Sequence, residues 1–309
     1  MEPLPACLDR PGNGVPTLTG PALSAGAVDL HLHSTASDGA FPADDVVARA
    51  AAAGLKAIAL TDHDTLDGLP AALAAGSRLG IRVIAGCEFS TAAPWGEMHV
   101  LGFFLPLGWD PLEQFLLRCR ADRERRGADM VTRLNGLGVG LAMDDVLAES
   151  RGGAIGRPHV ARALLRNGWV HTIQEAFDRF LGWGRPGFVE KRLPSFAEVA
   201  GLVHAAGGVV SAAHLKDRGT RSALSAFKAQ GLDAVETRHP VHDPDQRARL
   251  TELAAQLGLL RSGGSDWHGD DLSLPPSGQI GGQEVPVEWL DALEAARPTP
   301  GEPAAQTAN

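Results

Sequence analysis

Val28-Asp29-Leu30-His31-Leu32-His33 is the stretch whose reading decides the fold. Alternating apolar residues predict a short strand over about 27–32. Residues two apart on a strand share a face, so His31 and His33 present two imidazoles side by side. Five residues after His33, Asp38 lies in a Ser-Asp-Gly loop. Two imidazoles and a carboxylate at a strand end make half of a metal site. Alone, a His-x-His pair is more often incidental than ligating, so the test is whether the chain supplies the other half.

Working outward, Phe41-Pro42-Ala43-Asp44-Asp45 opens a helix that stops at Gly54. Ala57-Ile58-Ala59-Leu60 then predicts a buried strand running into Thr61-Asp62-His63-Asp64. A helix through Leu73 to Leu79 stops at Gly80, and a strand over 82–86 delivers Cys87-Glu88-Phe89-Ser90. Strand, polar strand end, helix is the repeat of a parallel sheet or barrel. Ligands gather at the C-terminal ends of such strands, which puts His31, His33, Asp38, His63 and Glu88 on one rim. The next strand, Glu97 to Phe104, has His99 near its start. That is the opposite strand end from the others, so this strand is expected to run antiparallel or bend, and the barrel rule does not place His99.

From Trp109 the character changes. A long helix over 111–135 carries Arg118, Arg120, Arg123, Arg125, Arg126 and Arg133, and further helices start near Asp144, Gly156 and Ile173. Four helices without a strand predict an inserted helical subdomain over 110–192, dividing the barrel into 26–109 and 193–296. Residues 1–25 read as a loose extension and 297–309 as a disordered tail. After the insertion the βα pattern resumes. A helix over 195–206 leads to the strand Val209 to Ala213, ending at His214. A helix over 220–230 leads to the strand Ala234 to Thr237, with His239 following. A helix over 244–257 leads to Leu259 to Ser262 and then Gly-Gly-Ser-Asp266-Trp-His268.

The rim thus gathers His31, His33, Asp38, His63, Glu88, His214, Asp266 and His268, with His99 joining. Six of the 11 histidines fall in this set. A lone strand-end His is more often a packing residue than a ligand; this many beside carboxylates is not explained by accident. An all-nitrogen and oxygen set of this size suits two or three ions such as Mn²⁺, Fe²⁺ or Zn²⁺.

Composition bounds the partners. Hydrophobic residues make up 44%, which a core-forming chain requires. The net charge of −9 argues against coating long nucleic acid. Within 110–192, however, 14 Lys and Arg face 11 Asp and Glu, leaving −12 for the rest. That bias reads either as a solvated helix face or as a cationic lid for an anionic substrate. There is no signal-peptide start and no apolar run long enough for a membrane span. The three cysteines, Cys7, Cys87 and Cys119, lack CxxC spacing and cannot all pair, which points to a reducing cytoplasm.

The segments VDLHLHSTASDG, ALTDHDTLDG, GCEFS, MHVLGF, SAAHL and GGSDWHG resemble, in order, the motifs of the PHP (polymerase and histidinol phosphatase) phosphoesterases. The resemblance implies a distorted (β/α)7 TIM-like barrel with a trinuclear metal centre. It implies metal ligation by His31, His33, Asp38, His63, Glu88, His99, His214, Asp266 and His268, with Glu88 bridging two ions, and Mn²⁺ as the first choice. Glu88, Asp38 and His63 are read as catalytic as well. AIGRPHVARAL and IQEAFDRFLG resemble the helical insert of members that hydrolyse nucleoside 3′,5′-bisphosphates and trim short RNA from the 5′ end. By that likeness Arg157 and His239 contact the substrate phosphate. The chain departs at Leu215, where the family has Pro, and at Arg238, where relatives have Tyr; the latter predicts an extra cation near the pocket.

The expectation is metal-assisted phosphomonoester hydrolysis of a nucleotide or short oligoribonucleotide, the cations polarising the phosphoryl oxygens and acidifying a water. The alternatives are a histidinol-phosphate type phosphatase, an amidohydrolase-like C–N hydrolase and a non-catalytic metal module. Asp62 and Asp64 read either as carboxylates orienting His63 or as exposed loop residues. His159 reads as a helix-terminus residue, His204 as packing or surface, and His171 and His242 as solvent-facing. The Arg-rich helix reads mostly as solvated, with one or two residues facing the cleft.

Overall fold

Among the described residues, eight strands form one sheet that rolls up around the predicted rim. The computed structural model describes residues 27–269 and 276–298. The predicted N-terminal extension, Cys7 and nearly all of the predicted tail lie outside these residues. The first half comprises β1 (Ala27–Leu32), α1 (Ala43–Ala52), β2 (Ala57–Leu60), α2 (Leu69–Leu79), β3 (Arg82–Ala93) and β4 (Gly96–Phe103). The insertion follows as α3 (Asp110–Gly136), α4 (Met143–Ser150), α5 (Arg157–Arg166) and α6 (Ile173–Ala176), the last continuing as a π-helical turn, Phe177–Leu181. Then come α7 (Phe196–Ala205), β5 (Val209–Ala212), α8 (Arg221–Lys228), β6 (Ala234–Arg238), α9 (Pro244–Leu257), β7 (Leu260–Gly263), β8 (Val285–Pro286) and α10 (Val287–Ala295).

The strand order is β7-β6-β5-β4-β3-β2-β1-β8. β1, β2 and β3 run parallel, as do β5, β6 and β7. The strand carrying His99, β4, is antiparallel to both its neighbours. Its N-terminal half therefore lies beside the C-terminal half of β3, with Ser90 opposite His99. The antiparallel alternative foreseen for this strand is the one realised, and it brings His99 to the rim. The chain after β7 closes the barrel onto β1. Asp266 N–H donates to His31 O (2.9 Å) and His33 N–H donates to Trp267 O (3.0 Å).

Four elements depart from the sequence reading. β3 continues to Ala93 because its far half pairs with β4 in a hairpin. α2 starts at Leu69, with a proline in its first turn where the missing N–H costs nothing. β8 and α10 carry no strong sequence signal; Val285, Leu290 and Leu293 are recruited by packing under β1.

The insertion has a core of its own, in which Met130, Leu134, Val146, Val160, Leu164 and Leu181 meet. The first turns of α3 do not belong to it: Leu112, Phe115 and Leu116 pack with Phe89, Phe196 and Val203 of the barrel. The long helix is thus a strut shared by both cores. Burial of Leu112 and Phe115 anchors it at about 1.5–3 kcal/mol per side chain.

Candidate metal centre

Six parallel strands, β1 to β3 and β5 to β7, and the antiparallel β4 deliver side chains to one point, from within the strand or from the loop at its end. On β1 every residue is buried, so the alternation of the strand sends Asp29, His31 and then His33 to the same interior face. Glu88 of β3 sits at the centre. Its Oε2 is 3.1 Å from His31 Nε2, 3.0 Å from His33 Nε2 and 3.3 Å from His63 Nδ1. Its Oε1 is 2.8 Å from His99 Nδ1 and 3.1 Å from His214 Nε2. One carboxylate oxygen thus faces each half of the cluster.

Asp266 and His268 enter from the loop after β7. Asp266 Oδ1 lies 3.3 Å from His31 Nε2 and 3.2 Å from His33 Nε2. His268 Nε2 lies 3.2 Å from Asp38 Oδ1, and its ring stacks on His33 at 4.1 Å. Asp38 Oδ2 is 3.9 Å from His63 Nε2. All nine residues named from the sequence as ligands converge here, and His239 joins them, its Nε2 3.3 Å from Asp266 Oδ2.

The local backbone is built for this convergence. His214 (φ 32°) and Asp266 (φ 51°) adopt left-handed conformations that non-glycine residues rarely hold. Gly264 passes so close to β1 that a Cβ there would stand 2.5 Å from the His31 backbone nitrogen. Leu215 itself sits at φ −63°, the value a proline ring would fix.

Buried atoms aimed at one another without bonding test whether these residues fit metal ions. His33 Nε2, Asp38 Oδ1 and His63 Nδ1 are buried and make no hydrogen bond among the described residues, although carboxylates stand close by. Their lone pairs converge on shared space rather than on each other. Among the described residues, four groups have ligand atoms within 4.8 Å: His33-Asp38-His63-His268, His31-His33-Glu88-Asp266, His63-Glu88-His99 and His31-Glu236-His239. Burial alone would raise the Glu88 carboxyl, yet the imidazoles of His63, His31 and His99 hold it well below its ordinary range. Burial likewise opposes charge on His33, but the carboxylates of Asp266 and Glu88 push it up to about 10. The cluster demands positive charge, which divalent cations supply. The residues fit.

The outer partners were largely missed from the sequence. Glu236 Oε1 faces His31 Nδ1 at 3.1 Å. Asp29 Oδ1 accepts from Ser265 N–H (2.9 Å) and its Oδ2 from Gly281 N–H (2.8 Å), pinning the loop that carries Asp266. Glu97 Oε1 faces His99 Nε2 at 3.0 Å and pairs with Lys191. Glu236 and Asp29 each carried a usable signal: a carboxylate on a strand whose end was already assigned to the rim.

Several readings are corrected. Asp62 and Asp64 are buried, and neither bonds His63. Asp62 accepts from Ser34 N–H (2.7 Å), Ser34 Oγ (2.7 Å) and Ser37 Oγ (2.6 Å), so it shapes the loop of Asp38. Asp64 pairs with Arg123 Nη2 at 2.6 Å. Arg238 adds no cation to the pocket. A bulge between Glu236 and Arg238 breaks the alternation of β6, and the guanidinium turns to Glu284 O and the Trp289 ring. His242 is buried rather than solvent-facing, its Nε2 accepting from Lys216 N–H at 3.2 Å. His171 is exposed, and His204 bonds Asp233 Oδ2 at 2.7 Å. His159 does serve the helix terminus: its Nδ1 accepts from Gly156 N–H at 2.9 Å, at the start of α5. Two residues of the Arg-rich helix, Arg123 and Arg126, are buried. Arg157 lies in the insertion against Phe177 and Phe188, 5.8 Å from each ring, and the structure does not bring it into contact with the imidazole cluster.

Fold and site together define a barrel hydrolase with a histidine-carboxylate metal centre. A family model described as the PHP domain matches residues 29–183, and the chain belongs to the PHP family. A 5′-3′ exoribonuclease of Haemophilus influenzae is 34% identical over 245 residues, 78% of this chain and 89% of the relative. A 3′,5′-nucleoside bisphosphate phosphatase of Chromobacterium violaceum is 34% identical over 253 residues, 78% of this chain and 87% of the relative. A structure from Bifidobacterium adolescentis, described as a metal-dependent phosphoesterase, superimposes with a TM-score of 0.79 at 32% identity, covering 88% of this chain and 97% of that one. The chain is a PHP-family metal-dependent phosphoesterase, a hydrolase acting on ester bonds. No helix among the described residues is long and apolar enough to cross a membrane.

Proposed function

We propose that this phosphoesterase removes the 3′-phosphate of nucleoside 3′,5′-bisphosphates and trims short RNA from the 5′ end with the same site. The observation that carries this reading is the position of the centre: Glu88 and its imidazoles lie two residues along β3 from Ser90, where cations of the helical insertion reach the barrel. Segment 110–192 acts as the substrate lid. Both relatives named above act, by their names, on nucleotides or RNA.

His31, His33, Asp38, His63, Glu88, His99, His214, Asp266 and His268 would hold two or three divalent ions, Mn²⁺ first and Fe²⁺ or Zn²⁺ as alternatives. Bound there, the ions polarise phosphoryl oxygens and lower the pKa of a water towards neutrality. The two oxygens of Glu88 serve both halves of the centre, while Asp38 and His63 form the wall beside it. His239 Nδ1 accepts from Val241 N–H at 3.2 Å, so the ring proton sits on Nε2, ready to donate to a phosphoryl oxygen. Arg157 makes no hydrogen bond or ion pair among the described residues, which leaves its fork of donors for phosphate.

A phosphate-release panel with Mn²⁺ tests this reading: adenosine 3′,5′-bisphosphate, AMP, histidinol phosphate and a 5′-phosphorylated oligoribonucleotide. The bisphosphate and the oligonucleotide are expected to lead. Preference for histidinol phosphate, or cleavage only of an amide substrate, overturns it.

A further inference from the structure

The insertion carries one aromatic side chain that its own core does not use. Trp183 is 77% exposed, more than any other large hydrophobic among the described residues. It stands in the loop Gly182-Trp183-Gly184-Arg185-Pro186-Gly187-Phe188, which follows the π-helical turn Phe177–Leu181. A single exposed indole carries no argument by itself. The way this one is mounted does.

The loop is held by its own backbone. Gly182 N–H donates to Phe177 O (2.8 Å), Arg185 N–H to Gly182 O (3.0 Å), Gly187 N–H to Phe180 O (2.9 Å) and Phe188 N–H to Arg185 O (2.9 Å). The glycines on either side of Trp183 make this path possible. A Cβ on Gly182 would stand 2.7 Å from Phe177 O, and Gly184 holds φ 72°. The indole meets Phe188 edge to face, with ring centroids 5.1 Å apart and planes at 61°. That contact orients the indole and leaves most of its surface open. A ring ordered before binding lowers the entropy cost of stacking on it.

Phe188 also meets Arg157, whose guanidinium carbon lies 5.8 Å from its ring centroid and whose donors are free among the described residues. Arg157 opens α5, and the segment before α5 lies on the loop of Asp38. Ala154 N–H donates to Ala36 O at 3.0 Å, and a Cβ on Gly153 would stand 2.5 Å from Thr35 O. From the imidazole cluster outward, the contacts therefore run through the Asp38 loop to Arg157, Phe188 and Trp183. A free cation followed by an open aromatic ring matches a nucleotide read from its phosphate to its base. A protein or lipid surface would use the exposed ring and have no need of the free guanidinium behind it.

We propose that Trp183, backed by Phe188, is a stacking platform for a nucleobase of the substrate. This rests on the nucleotide reading above and deepens it: the base, and not only the phosphates, is a recognised part of the substrate. Stacking needs only a π face, which every base has, so the platform selects nucleotides over sugar phosphates without reading base identity.

The test compares wild type, Trp183→Ala and Trp183→Phe, all loaded with Mn²⁺, on adenosine 3′,5′-bisphosphate and on 1-deoxyribose 3,5-bisphosphate, which lacks the base. Wild type is expected to prefer the adenosine compound in kcat/KM. Trp183→Ala should reduce that preference about 5- to 100-fold, through KM, and Trp183→Phe should keep most of it. A wild type without the preference, or a Trp183→Ala variant that loses equally on both substrates, overturns the platform. Trp183 is exposed, so its replacement is expected to leave the fold intact. In parallel, calorimetric titration of the full chains in EDTA with adenosine 5′-monophosphate and with ribose 5-phosphate reads the base without turnover. Tighter binding of the adenosine compound that is present in wild type and lost in Trp183→Ala supports the platform. Equal binding in wild type, or an adenine advantage that survives in Trp183→Ala, overturns it. This arm decides even if wild type fails to hydrolyse the bisphosphate and the functional reading falls.

Discussion

Glu236 holds two residues of the imidazole cluster at once: its Oε1 faces His31 Nδ1 at 3.1 Å and its Oε2 accepts the backbone N–H of His214 at 2.8 Å. The first contact fixes the His31 tautomer, placing the lone pair on Nε2, which faces Glu88 and Asp266. The second holds the left-handed turn at His214. Glu236→Ala is therefore expected to weaken metal affinity by about 10- to 100-fold, measured by competition with a chelating dye. Affinity equal to wild type would remove Glu236 from this role.

His33→Ala deletes an imidazole whose Nε2 lies 3.0 Å from Glu88 and 3.2 Å from Asp266. The variant is expected to fold, to bind fewer ions by elemental analysis, and to lose phosphatase activity. Turnover at the wild-type rate after metal reconstitution would sink the ligand assignment.

Arg123 and Asp64 form a buried pair at 2.6 Å. Removing one partner leaves the other charge stranded. Arg123→Met is expected to cost about 3–5 kcal/mol, read as a fall in the denaturation midpoint. The double variant Arg123→Met/Asp64→Asn should recover much of the loss. Additive losses would show that the pair is not a coupled unit.

The fourth expectation concerns acid. Burial first, then Arg162 and Arg123, push His159 down to about 4. Its neutral Nδ1 caps α5 by accepting from Gly156 N–H. The unfolded chain, with an ordinary imidazole near ~6.5, takes up the proton first, so this contribution is present above that pH and is lost as pH falls towards 4. The shift corresponds to about 3 kcal/mol over that window. Thermal melts at pH 7 and 4.5 should show a larger acid-induced drop in wild type than in His159→Gln. Parallel drops would exclude His159 as a source of acid sensitivity.

Arg157→Ala is expected to raise KM for a bisphosphate about 10-fold or more, with kcat less affected, as loss of a charge-assisted contact requires. Steady-state kinetics with phosphate detection decide it; an unchanged KM removes Arg157 from the substrate site.

The barrel and its rim were legible because the relevant signals are local. A strand end can be read from apolar residues meeting polar ones, and His31, His63, Glu88 and His214 each sit at such a boundary. His99 was ambiguous because strand direction is set by the partner, and only the pairing with β3 and β5 decides it. Arg238 misled because a bulge is a register event between two strands and leaves no mark on one. His242 was read as exposed because the burial of a loop histidine depends on what folds over it. Arg123 and Lys191 are illegible as anchors of the insertion: in sequence they are two charges among many, and only the path of the insertion brings them to Ser90 of β3.

The insertion is fastened to the barrel at both of its ends, by Arg123 on Asp64 going out and by Lys191 on Glu97 coming back. Asp64 follows His63 in the chain and Glu97 faces His99, so each fastening is made to a neighbour of the hydrolytic centre. With the insertion as the proposed substrate lid, recognition and chemistry are for that reason not separable cassettes in this protein. A chimaera that exchanges residues 110–192 for the corresponding helices of a relative would have to import matching cations at both junctions. Without them it would disturb the reaction centre before it altered what the enzyme selects.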